Sequence, residues 1–189
     1  MRVADPERDA ARVVAIYRPH VVDGLASFEE VVPTVAQMAA RIRTTLTWTP
    51  WLVAVEPESD LVIGYAYASR HRERVGYRWS VDISVYVDEA WHRRGVGGQL
   101  YAELLALLRR QGFINVYAGI TTPNPGSVRL HEQLGMKPIG TYERVGYKHG
   151  QWLPVTWFGM RLQEPTIPPA EPIAMSELAT DGQPAIKGE

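Results

Sequence analysis

Two stretches hold residues whose types and spacing could do chemistry. In the first, Val81, Ile83, Val85 and Val87 alternate with Asp82, Ser84 and Tyr86, the period of two that marks a strand. Asp82 is the non-apolar, acidic position of a strand otherwise built for burial. Desolvation raises the pKa of an enclosed carboxylate and fits it to take a proton as a general base. The alternative is a structural carboxylate that faces solvent or pairs with Arg72, Arg74 or Arg78. In the second stretch, Asn124, Ser127 and His131 fall at i, i+3 and i+7, so one helix face carries all three. Leu130 and Leu134 take another face, expected to be the core side. The polar stripe either lies in water, as on most surface helices, or aims a near-neutral imidazole at a site where protons move.

Between these stretches comes a glycine-rich bend, Arg93-Arg94-Gly95-Val96-Gly97-Gly98, followed by Leu100, Leu104, Leu107 and Leu108 at helical spacing. Strand, glycine bend and helix together suit a phosphate. Glycines let backbone N–H groups turn inward, and the helix N-terminus adds partial positive charge. The bland counterpart is an ordinary strand-to-helix connection. A nucleoside-triphosphate loop is excluded, because Gln99 stands where Lys would close it. A dinucleotide fingerprint fails for want of a third glycine, the position being Leu100.

These residues need elements to hold them, and the chain is long enough to build those. Its 189 residues are 46% hydrophobic with a net charge of −1, which suits one domain with a substantial core. No basic excess points to nucleic acid and no polybasic run to a membrane surface. No apolar run is long enough to span a bilayer, and no signal-peptide core is evident. The absence of cysteine removes disulfides, thiolate metal sites and a cysteine acyl-enzyme, and five scattered histidines give no metal signature. A cytoplasmic, metal-free protein is expected.

The pattern predicts an edge strand at Met1–Val3 and a helix with Ala10, Val13, Val14 and Tyr17 on its apolar face, stopped by Pro19. Phe28, in a loop of small residues, either lines a pocket or plugs the core. A second helix opens at Pro33-Thr34, with Thr34 and Gln37 spaced as a capping box. Antiparallel strands follow at Trp51–Glu56 and Leu61–Ser69, then the charged loop His71–Gly76 and the strand bearing Asp82. The helix after the glycine bend should end near Gln111 with Gly112 as its left-handed cap. A strand at Asn115–Thr121, a helix at Ser127–Leu134 and strands near Ile139–Tyr147 and Trp152–Leu162 complete the order. Antiparallel hairpins around a βαβ-like middle make the class α+β. The expected domain covers 1–163. From 164 to 189 the proline-rich composition predicts a mobile tail, or one lying along a partner.

The bend resembles the pyrophosphate loop Gln/Arg-x-x-Gly-x-Gly/Ala of the GNAT superfamily of acyl-CoA N-acyltransferases; Gly95 and Gly97 match, and His92 replaces the usual Gln or Arg. From Arg2 to Leu162 the element order is similar to that family's. Within it, the chain looks most like phosphinothricin and methionine-sulfoximine N-acetyltransferases. That likeness is carried by Ser80–Val87, Pro123-Asn124, Ser127–Glu132, Leu134-Gly135 and Gly146–Trp152. It implies a mixed, mostly antiparallel central sheet flanked by helices, with splayed central strands that bind acetyl-CoA. It also implies acetyl transfer to the α-amine of a small amino-acid-like substrate, and a homodimer. By the same likeness Asp82 stands where the family has a Glu as proposed base, and His131 where a thiolate-protonating residue sits. Val85, Tyr86 and Val87 would pair with pantetheine, and Arg93 to Gly98 would hold pyrophosphate, with Asn124 and Ser127 near the cofactor arm. Arg72 and Arg74 could grip a carboxylate or phosphinate bidentately, and Tyr77, Phe28 and Trp152 could wall the acceptor pocket. A protein or peptide acetyltransferase and a non-catalytic acyl-CoA-binding module are the other readings.

Overall fold

A computed structural model describes residues 1–178 of the chain. Its order is β1 (Arg2–Val3), α1 (Pro6–Val22), α2 (Val35–Leu46), β2 (Trp51–Val55), β3 (Val62–Arg70), β4 (Ser80–Val87), α3 (Val96–Gln111), β5 (Asn115–Thr121), α4 (Pro125–Gln133), β6 (Lys137–Lys148) and β7 (Gln151–Arg161). The seven strands form one sheet, ordered β1-β2-β3-β4-β5-β7-β6. All neighbours are antiparallel except β4 and β5, which run parallel.

Alternation within the strands sends one set of side chains to each face. On one face Val81, Ile83, Val116, Ala118 and Ile120 receive Leu100, Leu104, Leu105 and Leu108 of α3. On the other, Val53 and Tyr65 receive Ala10, Val13 and Ile16 of α1 with Met38 and Ile42 of α2. Leu100, Leu104 and Leu108 are fully buried, and each contributes about 1.5–3 kcal/mol. That packing fixes where the N-terminus of α3 points. Thr34 and Gln37 form the expected capping box, and Gly112 closes α3 at φ 90°.

The parallel pair is short. β4 and β5 are matched only from Ser80↔Asn115 to Asp82↔Tyr117. Beyond Asp82, β4 continues beside β3 as far as Val87, and β5 beside β7 as far as Thr121. The two strands therefore part company, and the β4 edge facing β5 has no ladder partner from Ile83 onward.

Three expectations need revision. Pro19 does not stop α1, which runs on to Val22. A proline removes only its own N–H donor, and here its carbonyl still accepts from Asp23 and Gly24 at 3.0 and 2.9 Å. The helix expected from Ser127 begins two residues earlier: Asn124 is its N-cap and Pro125 its first residue, the one helical position where proline costs nothing. The third concerns the chain after Gln163. Its residues 179–189 lie outside the described residues, but residues 170–176 are seated on the domain. Trp79 Nε1 donates to Ala170 O at 2.7 Å, Arg78 pairs with Glu171, and Ile173 N donates to Gln111 O at 2.7 Å. The fully buried Gln111 amide donates to both Trp48 O and Ile173 O at 2.8 Å, and Met175 is buried. A few anchors suffice where composition promised none.

Truncation after Gln163 should therefore lower stability while leaving turnover intact, since none of these anchors lines the cavity described next. Loss of hydrogen bonds at a buried amide costs about 1–3 kcal/mol, and each kcal/mol moves the midpoint about 2–4 °C at this size. Calorimetry checks this. A truncated chain that melts with the full-length protein would show the anchors to be idle.

Candidate active site

Where β4 and β5 diverge, a cavity of about 630 Å³ opens between them, roofed by the N-terminus of α3 and by α4. Its lining includes Val85, Tyr86, Val87, Arg93, Gly95, Val96, Gly97, Gly98, Asn124, Ser127 and His131. The expected cofactor-binding residues thus converge on one space, with one exception. Arg94 stays outside it, its guanidinium 4.8 Å over the Trp91 ring.

The bend is built to leave donors open. Arg93 and Gly95 take positive φ of 59° and 79°, which turns the chain into α3 without a capping side chain. The first N–H groups of a helix have no partner within it, so those of Val96, Gly97 and Gly98 are available to a ligand in the cavity. A Cβ on Gly97 would lie 3.4 Å from Leu130 Cδ2, between α3 and the opposite cavity wall. His92, the departure from the family loop, donates from Nε2 to Val87 O at 2.9 Å and fastens the bend to the end of β4.

Leu130 of α4 and its C-cap Leu134 pack against the core as expected, yet His131 from the polar stripe is the most buried residue of this helix, at 3% exposure. Its Nδ1–H donates to Ser127 O at 2.8 Å, which leaves Nε2 to accept from the Tyr101 hydroxyl at 3.2 Å. Burial lowers the His131 pKa from its ordinary value, with the Ser127 carbonyl pulling weakly the other way. The imidazole is neutral at physiological pH. Burial also pushes the Tyr101 hydroxyl far up, so it keeps its proton. Asn124 spends its Oδ1 on the Ser127 N–H as the helix cap, and its amide NH₂ is left for a ligand.

Asp82 lies at the fork, on the last matched pair before the strands part. It does not line the large cavity; its side chain is on the opposite sheet face, 24% exposed. Of the three arginines considered as partners, Arg78 is engaged with Glu171. The carboxylate is held instead by His71, whose Nδ1 is 2.6 Å from Asp82 Oδ1. Burial raises the Asp82 pKa, and the His71 contact and the charge of Arg72 only partly offset it. His71 had no motif to advertise it. The signal was its place at the end of β3, where the hairpin register sets Ser69 against Asp82.

Of the expected acceptor residues, Arg72 and Tyr77 lie beside this second centre. Arg72 is exposed, with its guanidinium 5.9 Å over the Trp157 ring, and it donates to His71 O at 2.6 Å. Tyr77 is 6.1 Å from the His71 ring, edge on. Arg74 is exposed at the start of the same loop turn. Phe28 packs on Gly146 of β6, where any Cβ would come within 2.2 Å of its ring, so it seats a loop against the outer hairpin. Lys148 reinforces that seat by donating to Ser27 O at 2.6 Å and His20 O at 3.1 Å. Trp152 is 60% exposed on the outer hairpin and does not line the cavity between β4 and β5. Among the described residues no group of three or more His, Cys, Asp or Glu could hold a metal, and no helix is long and apolar enough to cross a membrane.

Comparison with known proteins agrees with this geometry. The family model described as an acetyltransferase (GNAT) domain matches residues 3–157. A phosphinothricin N-acetyltransferase of Streptomyces viridochromogenes is 44% identical over 125 residues, 66% of this chain and 67% of that protein. An L-methionine sulfoximine/L-methionine sulfone acetyltransferase of Salmonella typhimurium is 34% identical over 90% of this chain and 98% of its own length. The crystal structure of a Sinorhizobium meliloti phosphinothricin acetyltransferase in complex with acetyl-CoA superposes with a TM-score of 0.83 at 36% identity, covering 90% of this chain and 91% of that one. The forked sheet, the uncapped helix above it and the match along nearly the whole domain place this chain in the GNAT acetyltransferase family.

Proposed function

We propose that the protein transfers an acetyl group from acetyl-CoA to the α-amine of a small amino-acid-like acceptor, by direct attack of the amine on the thioester. The observation that carries this reading is the fork itself. A cavity with open backbone donors lies on one side of the point where β4 and β5 separate, and the half-buried Asp82 carboxylate lies at that point on the other sheet face. The unpaired β4 edge from Ile83 to Val87 supplies regularly spaced N–H and C=O groups for the amides of a pantetheine arm, as an added strand would take them. The bend and the α3 N-terminus suit its pyrophosphate. Donor and acceptor then approach from opposite faces of the sheet and meet at Asp82.

Asp82 supplies the basicity that an ammonium needs before it can attack. The neutral His131 and the Tyr101 hydroxyl keep protons on the cavity wall where a leaving thiolate would form. Arg72 and Arg74 suit the α-carboxylate that phosphinothricin and methionine sulfoximine share with amino acids, or the phosphinate of phosphinothricin. A panel measuring thiol release from acetyl-CoA with amino acids, phosphinothricin, methionine sulfoximine and short peptides tests the assignment. Release with the small acids is expected. Release with peptides alone would make it a peptide acetyltransferase, and tight acetyl-CoA binding with no acceptor would make it a binding module.

The active form is proposed to be a homodimer. Ile139, Tyr142, Val145, Tyr147 and Trp152, each more than half exposed, gather on the β6–β7 hairpin at the sheet edge. An exposed apolar edge strand of this kind asks for a partner. Sedimentation should show a dimer at micromolar concentration, and a monomer there would contradict this.

A further inference from the structure

We propose that His71 is a catalytic residue of the reaction described above, with its Nε2 as the atom that takes the proton from the incoming ammonium and Asp82 as the group that orients and charges it. This rests on the transferase reading and names the proton acceptor within it.

Geometry carries the inference. An ionised carboxylate can only accept, so the 2.6 Å contact to Asp82 Oδ1 requires the proton on Nδ1 and leaves the lone pair on Nε2. Nε2 makes no hydrogen bond among the described residues, and it is not among the sealed, unpartnered atoms, so solvent reaches it. The ring is packed on three sides by aromatic side chains. It lies on Tyr117 with centroids 4.5 Å apart and is edged by Tyr77 and Trp157, each at 6.1 Å. Tyr117 is the strand partner of Asp82 at the fork. The groups facing the imidazole are thus Asp82 from β4, Tyr117 from β5, Tyr77 from the loop turn and Trp157 from β7, with the Arg72 guanidinium beyond that indole. A carboxylate that orients an imidazole and leaves its far nitrogen open is the arrangement by which hydrolase triads make a base. Imidazole also matches the task better than a carboxylate does. Its ordinary pKa lies near the working pH, where a base combines the right protonation state with useful strength.

In the step, the ammonium N–H proton passes to Nε2 and makes an imidazolium paired with Asp82. The freed nitrogen lone pair forms the C–N bond at the thioester carbonyl carbon. The C–S bond then breaks with its electron pair on sulfur. The second proton lost by nitrogen balances the thiolate, and the imidazolium returns its proton to solvent.

The test compares pH–rate profiles of the wild type, His71→Asn, Asp82→Asn and the double variant, with acetyl-CoA affinity measured separately. His71→Asn keeps a donor near Nδ1 and removes Nε2. Its kcat/KM should fall about a hundredfold or more, with the loss shrinking as pH rises and more of the amine is neutral, while acetyl-CoA affinity stays the same. The double variant should be no worse than the poorer single one, as for residues acting as a unit. A folded His71→Asn enzyme with a wild-type profile, beside an impaired Asp82→Asn, would overturn the role of His71 and leave the transferase reading standing. A wild type that acetylates no amine overturns both. Should His71→Asn not fold, His71→Gln takes its place: a comparable loss of kcat/KM with acetyl-CoA affinity unchanged supports the role, and a wild-type rate in the folded variant overturns it.

Discussion

Asp82→Asn should lower kcat/KM by about two to four decades at neutral pH, the usual size of the loss when general-base assistance fails. The substitution keeps size and burial and removes the negative charge on which the His71 contact depends. Two signatures separate this from structural damage. First, the loss should shrink as pH rises, because more of the amine is then neutral without help. The wild type should lose activity as pH falls through the Asp82 pKa, which burial holds above its ordinary value, and the variant should lack that limb. Second, stability should move the other way. A carboxyl whose folded pKa is raised binds protons more readily in the native state, so its ionisation at neutral pH works against folding. Asp82→Asn should therefore melt no lower than the wild type at neutral pH. A variant with a wild-type rate profile would make Asp82 structural.

Gly97→Val should weaken acetyl-CoA binding by about a hundredfold, the equivalent of losing one or two charge-assisted hydrogen bonds. A first carbon at Gly97 meets Leu130 Cδ2 at 3.4 Å, Val87 Cγ2 at 3.7 Å and Val85 Cγ2 at 3.9 Å, all ordinary contacts. Alanine should fit there. Two further methyls enter the space between the α3 N-terminus and the walls of the cavity, where a pyrophosphate would lie. Valine is no poorer than glycine as a helix former, so the fold should hold. Calorimetric titration with acetyl-CoA, alongside a melting curve, reads both effects. Unchanged affinity in a folded variant would remove the pyrophosphate assignment.

The legibility of this chain follows from how local each signal was. Period-two alternation at Val81–Val87 and leucines at helical spacing after Gly98 are local, and both elements stand where they were expected. The bend was legible because only glycine readily takes the φ of 79° found at Gly95. The fork was not legible from residues alone, since it depends on where β4 and β5 stop pairing. His71 was hidden for the same reason: eleven residues separate it from Asp82, and only the β3–β4 register brings them together. His131 showed the limit of helix-face arithmetic. Spacing put it on a polar stripe beside the core-facing leucines, but its burial depends on Tyr101 and Phe158 across the cavity wall. The C-terminal segment misled by composition, because Gln111, Trp48 and Trp79 offer it partners that its own sequence does not announce.

The central claim is that acetyl moves from the thioester to the α-nitrogen of a small acid. Incubation with acetyl-CoA carrying an isotopically labelled acetyl group, with methionine sulfoximine or phosphinothricin as acceptor, tests it most directly by NMR of the product. The label should appear in an amide at the α-nitrogen, formed in step with free thiol. Label appearing only as free acetate, or thiol release indifferent to the acceptor, would contradict it.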